Sequence, residues 1–430
     1  MKKIFNLPSI LLSATAKDTY LIFANNIFTS FLAFLYTIFL ARSFAPEKLG
    51  IFSSVTAFIL LASDVLDMGI STSLSRFYPE MKGSKGEKWA DIFIANTFKF
   101  QLSVTLILVT LVIIMSSFLS SILLKSDNYS TLFYLAGIGI LGTVLTSFFS
   151  ATLSAKKKFL PVAIISTSST ALKLVLVIIL YYLHRFTLNS VTFSFILAPF
   201  FAFLVGKKFI PLVLTKNGFS FALLKKLLSY SLLVALARFF SAISSRFDAL
   251  MLIPLSSGYE AGIYSAANKI IYTYVVLSGS FSMVIAPRLS SFKDLSQSIA
   301  YLKKIILVVV FILISMAVMY LIAPFFVVFV LGRNYYQSVV VFRALLLPMA
   351  FFVSTIPTVN FLLYVLKKPV VSALNTFIQL PIIFFGNLYF IPVFGRLGPV
   401  FSLTIAYCVT FFSSVIFTFY FLNKVKKPAK

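Results

Sequence analysis

The sequence predicts an all-α membrane protein of twelve transmembrane helices, and three observations carry that prediction. Of 430 residues, 60% are hydrophobic and 11% charged, and the mean hydropathy is +1.02. A soluble domain is about 45–50% apolar and about 25% charged, so the bilayer rather than water suits this chain as solvent. The apolar residues form continuous runs of about 20 residues or more, enough to cross about 30 Å of hydrocarbon as helices. The loops between the runs alternate between Lys/Arg-rich and Lys/Arg-poor. Only helices or closed barrels satisfy their backbone in lipid, and these runs do not alternate as barrel strands do.

In chain order, the expected spans are 19–40, 49–70 (helical on to about 80), 92–124, 132–153, 159–183 and 190–209. A second set follows at 227–255, 262–289, 299–323, 338–366, 370–390 and 397–422. Twenty-five of the 37 Lys and Arg fall on one side, among them Lys2, Lys3, Arg76, Lys82, the Lys156–Lys158 run, Lys207, Lys225, Arg288, Lys367 and Lys424. Six fall on the other side: Arg42, Lys48, Lys125, Arg185, Arg333 and Arg396. The bias predicts cytoplasmic termini. The formal charge of +26 does not point to nucleic acid, because the basic residues sit at helix ends rather than in one domain. The one cysteine, Cys408, lies in an apolar run, so no disulfide within the chain is expected. The N-terminal residues lack the compact apolar core of a cleaved signal peptide, so the first span should direct insertion.

The chain also repeats itself. Gly50-Ile51-Phe52-Ser53 opens the second span and Gly262-Ile263-Tyr264-Ser265 opens the eighth, an offset that also places Arg76 on Arg288. At nearly the same offset, Lys157-Lys158 meets Lys367-Lys368. Two six-helix halves are therefore expected, 1–212 and 213–430. An even span number makes both enter from the same side, so a pseudo-two-fold along the membrane normal relates them, with a substrate path between. The basic stretch 207–226 is the expected linker, and its piece Phe219–Leu228 should lie along the membrane surface.

Residues 40–80 contain Arg42, Pro46-Glu47-Lys48-Leu49-Gly50-Ile51-Phe52-Ser53, Asp67-Met68-Gly69 and Arg76. This series resembles the N-terminal hallmark of polysaccharide exporters of the O-antigen flippase (Wzx-type) family. Residues 244–270, with Asp248 and Gly262-Ile263-Tyr264-Ser265-Ala266-Ala267-Asn268-Lys269, resemble the same family's turn between spans seven and eight. Ile253-Pro254-Leu255 departs from the usual L-G there. The resemblance covers essentially the whole chain. It implies the twelve-helix fold with a V-shaped central cavity and, as substrate, an undecaprenyl-pyrophosphate-linked oligosaccharide flipped to the outer leaflet by alternating access. It also implies a bacterial or archaeal inner membrane. Glycosyltransferases and a polysaccharide polymerase are the candidate partners, besides the anionic lipid-linked sugar and membrane lipid. The same superfamily holds lipid II flippases and cation-coupled multidrug extruders, which are the alternatives.

Ionisable residues within spans point to the site, since a Lys or Arg at mid-helix costs about 2.5–3.5 kcal/mol on insertion scales. Lys173 and Arg238 are deepest; Arg246 and Lys269 lie about two turns inside the outer face. These four, with Asn26 as the counterpart of Arg238 under the repeat, are the candidate substrate-binding residues. Lys99 and Arg343 are near enough to helix ends to snorkel. Asp64, Asp67 and Asp248 are candidates for coupling or charge pairing; Asp248 equally suits a structural pair with Arg246 or Lys269, and Asp67-Met68-Gly69 a packing hinge. His184 beside Arg185 is a loop residue. A net basic interior suits an anionic headgroup, with Arg offering a planar fork to phosphate oxygens and Lys a point charge. No phosphate-binding loop, metal-ligand cluster or nucleophile triad is legible, so an enzyme is not expected. No cofactor is expected beyond a coupling ion, H+ or Na+.

Overall fold

The computed structural model describes residues 14–210, 236, 239–292 and 294–426. Fifteen α-helices of the described residues are used below. They are α1 Ala14–Ser43, α2 Pro46–Asp67, α3 Ile70–Lys85, α4 Glu87–Ile114, α5 Ser116–Leu124, α6 Ser130–Ala155, α7 Phe159–Tyr182 and α8 Leu188–Lys207. Then come α9 Phe247–Leu255, α10 Gly258–Ser291, α11 Leu295–Leu331, α12 Ser338–Ser354, α13 Ile356–Tyr364, α14 Pro369–Phe394 and α15 Gly398–Lys426. Ten helical stretches among the described residues are long and apolar enough to cross a membrane, and the last, Pro369–Lys424, holds both α14 and α15. The protein is a multi-pass, all-α membrane protein. The seventh expected span is described only in part, as helical residues 239–244 and α9. The expected surface segment Phe219–Leu228 and most of the linker 207–226 lie outside the described residues.

The helices group into two units. One holds Met1–Tyr36, Phe58–Ile122 and Ser126–Phe239; the other holds Thr37–Ala57, Leu123–Lys125 and Phe240–Lys430. In the first unit, α2 stops at Asp67 because Met68 (φ 46°) and Gly69 (φ 71°) take left-handed backbone, which breaks a right-handed helix. The Asp67 carboxylate then accepts from the Ser71 N–H (3.3 Å) and the Ser71 hydroxyl, so it caps the first turn of α3. Along α3, Ile70, Leu74, Phe77, Tyr78 and Met81 are buried at helical spacing. They join Phe93, Phe98, Phe148 and Phe149 of α4 and α6 in one core. The basic rim of that core is tied down: Lys156 Nζ meets Asp91 at 2.8 Å and lies 5.4 Å from the Tyr78 ring.

In the second unit, the start of α2 crosses the start of α10 at backbone contact. A Cβ added to Gly50 would lie 2.1 Å from the Gly258 carbonyl oxygen, and one added to Gly262 would lie 1.7 Å from the Pro46 carbonyl oxygen. Pro46 and Gly258 are themselves partners under the repeat offset, so the contact is reciprocal. Two helices approach this closely only where small residues line the crossing, and Gly258-Tyr259-Glu260-Ala261-Gly262 supplies the spacing.

Nearby, Arg42 closes α11. Its Nε donates to the Val330 carbonyl at 3.1 Å and its Nη2 to the Phe329 carbonyl. Those carbonyls belong to the last helical turn, which has no intrahelical donors and carries partial negative charge. Tyr335, fully buried, donates to the Phe44 carbonyl at 3.0 Å, and burial raises its phenol above the ordinary range so that it stays a donor. Arg42→Ala is expected to lower the thermal midpoint by the equivalent of about 1 kcal/mol, a modest loss because the arginine is exposed. Thermal denaturation in detergent reads this; Arg42→Ala melting with the parent protein would remove the capping role.

Candidate functional site

Each unit carries its own polar constellation inside apolar helices. In the first, α7 presents a run of hydroxyls, Ser166-Thr167-Ser168-Ser169-Thr170, one turn before Lys173. Ser166, Thr170 and Lys173 recur at helical spacing and so share a face of α7. Asn25 of α1 donates to Ser166 Oγ at 3.0 Å and accepts from Thr167 Oγ1 at 2.8 Å, clamping α1 to α7. Asn26, the residue singled out from the repeat, is half-buried beside it. Lys173 Nζ sits 4.0 Å from the ring centroid of Phe195 on α8. A desolvated ammonium over an aromatic face gains about 2 kcal/mol, less than a full counter-charge offers. No carboxylate among the described residues meets it.

In the second unit, Asp248 is 5% exposed at the start of α9. It accepts from the Ala249 N–H (2.7 Å), the Tyr264 hydroxyl and Asn268 Nδ2 (3.4 Å), and Arg246 is close enough to attract it. Tyr264 is fully buried. The carboxylate is thus well satisfied, which a buried charge requires. Lys269 is not its hydrogen-bond partner. Its Nζ lies 5.6 Å from the ring centroid of Phe52 instead. Asp64 is exposed on α2, and Asp67 caps α3. Arg238 lies outside the described residues. Lys173 and Asn26 belong to the first unit, and Arg246, Asp248 and Lys269 to the second.

Sequence reasoning passed over Asn25, Tyr264 and Asn268. The five-residue hydroxyl run of α7 is the signal that could have found the first. Tyr264 and Asn268 stand i+4 apart beside a span already carrying Asp248, which could have suggested that they share its carboxylate.

Residues 15–293 match the sequence profile described as polysaccharide biosynthesis protein. The chain belongs to that family. No curated protein sequence matches it significantly. Solved structures of similar fold include lipid II flippase MurJ in an inward closed conformation (TM-score 0.77, 16% identity, 92% of this chain and 87% of that one). They also include an inward-facing multidrug resistance MATE family transporter of the MOP superfamily (TM-score 0.70, 16% identity, 93% and 96%). A third is a MOP superfamily transporter from Pyrococcus furiosus described by a reverse polarity of its binding pocket (TM-score 0.63, 17% identity, 98% and 99%). This polysaccharide biosynthesis protein therefore has the helical fold of flippases and transporters, along nearly its whole length.

Proposed function

We propose that this protein flips an undecaprenyl-pyrophosphate-linked oligosaccharide from the inner to the outer leaflet of a bacterial or archaeal inner membrane, with both termini cytoplasmic. One observation carries the reading: Lys173 and Lys269 sit in membrane-crossing helices against aromatic rings, and no carboxylate among the described residues meets either. Cations at such depth favour an anionic ligand. A pyrophosphate supplies the charge, and membership of a polysaccharide biosynthesis family supplies the sugar. Asn26, Arg246 and Arg238 complete the candidate binding set. The halves 1–212 and 213–430 act as internal duplicates in alternating access, a reading that the reciprocal Gly50–Gly262 contact supports. The protein carries out no covalent chemistry itself. Glycosyltransferases build its substrate and a polymerase consumes its product. The driving ion is H+ or Na+, taken by Asp64, Asp67 or Asp248.

The second reading is a cation-coupled multidrug extruder, or a lipid II flippase, of the same superfamily. The hydrogen-bonded Asp248 cluster is the feature that favours the extruder, because such a substrate needs an acidic group.

Proteoliposomes loaded with a fluorescent polyprenyl-pyrophosphate oligosaccharide test the proposal by counting leaflet exchange. Lys173→Ala and Lys269→Ala should each slow exchange about tenfold or more, the effect of one lost charge-assisted contact. Lys→Arg at either position should retain most of it. Full exchange by both alanine variants at normal insertion would sink the anionic-ligand reading. Preferential movement of organic cations would move the assignment to the extruder.

A further inference from the structure

Helices α11, α12 and α15 enclose a groove of about 530 Å³ within the second unit. Its walls are apolar, with Val340, Ala344 and Leu347 along α12 and Val400 and Phe401 on α15. Tyr320 of α11, Arg343 of α12 and Thr404 of α15 supply its polar part.

The sequence of α11 explains why a cation points into this groove. Pro324 lies inside that helix and has no N–H, so the Tyr320 carbonyl, four residues earlier, has no helical donor. Arg343 Nε donates to that carbonyl at 2.9 Å, and the guanidinium lies 5.0 Å from the Tyr320 ring centroid. Position alone would let Arg343 snorkel outward. The head turns instead toward the Tyr320 carbonyl of α11.

A bond to a neutral carbonyl occupies one of five guanidinium N–H groups and neutralises no charge. No carboxylate among the described residues pairs with Arg343, and no described residue accepts from its Nη groups. A cation in an apolar, membrane-depth groove calls for a negative partner. Arg343 is also only about 8 Å into α12 by helical rise, so a headgroup phosphate can reach it while acyl chains stay in hydrocarbon. The occupant that fits is apolar along its length and anionic at one end.

We propose that this groove binds an anionic glycerophospholipid of the surrounding bilayer, its acyl chain along Val340, Ala344 and Leu347 and its phosphate on the Nη groups of Arg343. Neither Lys173 nor Lys269 lines the groove, and its existence does not depend on what the protein transports.

Native mass spectrometry of the full-length protein, titrated with phosphatidylglycerol or phosphatidylcholine, tests this. The parent protein should hold phosphatidylglycerol through delipidation and release phosphatidylcholine. Arg343→Gln keeps a donor for the Tyr320 carbonyl and removes the charge; it should weaken phosphatidylglycerol retention about tenfold, the effect of one charge-assisted bond, and leave phosphatidylcholine unchanged. Ala344→Phe fills the groove with the arginine intact and should lose phosphatidylglycerol equally. Equal retention of the two lipids by the parent protein overturns the proposal without recourse to any variant. So does full phosphatidylglycerol binding by Arg343→Gln. Undecaprenyl phosphate held through Arg343 in place of phosphatidylglycerol would assign the groove to the transported lipid and also overturn it.

Discussion

Gly262→Ala is expected to force α10 away from α2 and to cost about 3 kcal/mol, the upper end of what overpacking a tight contact does. The added Cβ would stand 1.7 Å from the Pro46 carbonyl oxygen and 2.4 Å from its carbon. Both are backbone atoms, so no side-chain rotation relieves the clash. Gly50→Ala meets the Gly258 carbonyl oxygen at 2.1 Å and the Gly262 nitrogen at 2.7 Å, and should behave alike. The sign is informative, because Gly→Ala inside a helix ordinarily stabilises by about 1 kcal/mol. Gly279, on the same α10, is the internal control: a methyl added there would meet nothing within 4 Å. Thermal denaturation in detergent should place Gly279→Ala at or above the parent midpoint and Gly262→Ala well below it. Equal midpoints for the two variants would mean that the helices do not cross at backbone contact.

Asp248→Ala should destabilise by about 3–5 kcal/mol, the range for breaking a buried, hydrogen-bonded charge. The loss leaves the fully buried Tyr264 without an acceptor for its hydroxyl, strips the Ala249 N–H, and removes the carboxylate that Arg246 faces. Each orphaned donor contributes about 1–3 kcal/mol of desolvation. Asp248→Asn keeps an oxygen for Tyr264 and the shape of the site while removing the charge, so it should fold more nearly as the parent does. The pair of variants separates two roles. If the carboxylate takes the coupling ion, the asparagine variant inserts normally and loses ion-driven exchange. If it only braces α9 against α10, that variant transports and the alanine variant does not accumulate. An alanine variant as heat-stable as the parent would dismiss both.

The motifs that carry the family resemblance turn out to hold backbone. Arg42 closes α11, Asp67 caps α3, and Gly50 and Gly262 permit a helix crossing. Their spacing was legible because each acts within a turn or two of its own position. Their partners were not: Arg42 meets Phe329 and Val330, and Tyr335 meets Phe44, nearly three hundred residues away along the chain. The deep cations were legible one by one, since charge in an apolar run stands out by composition. What surrounds each was not, because Phe195 beside Lys173 and Phe52 beside Lys269 look in sequence like any other apolar residue.

By itself, the sequence determined that this protein suits a bilayer, which stretches are long and apolar enough to cross one, and which charged residues those stretches carry. Those properties follow from residue type and run length, because hydrocarbon is a uniform solvent that reads each helix independently. Only the tertiary structure decided which polar atoms meet. Asp248 finds Tyr264 and Asn268 rather than Lys269, and Arg343 turns to the carbonyl that Pro324 leaves open. In a medium with no water to satisfy them, donors and acceptors must find one another across helices, and that matching depends on how the helices pack rather than on where they lie in the chain.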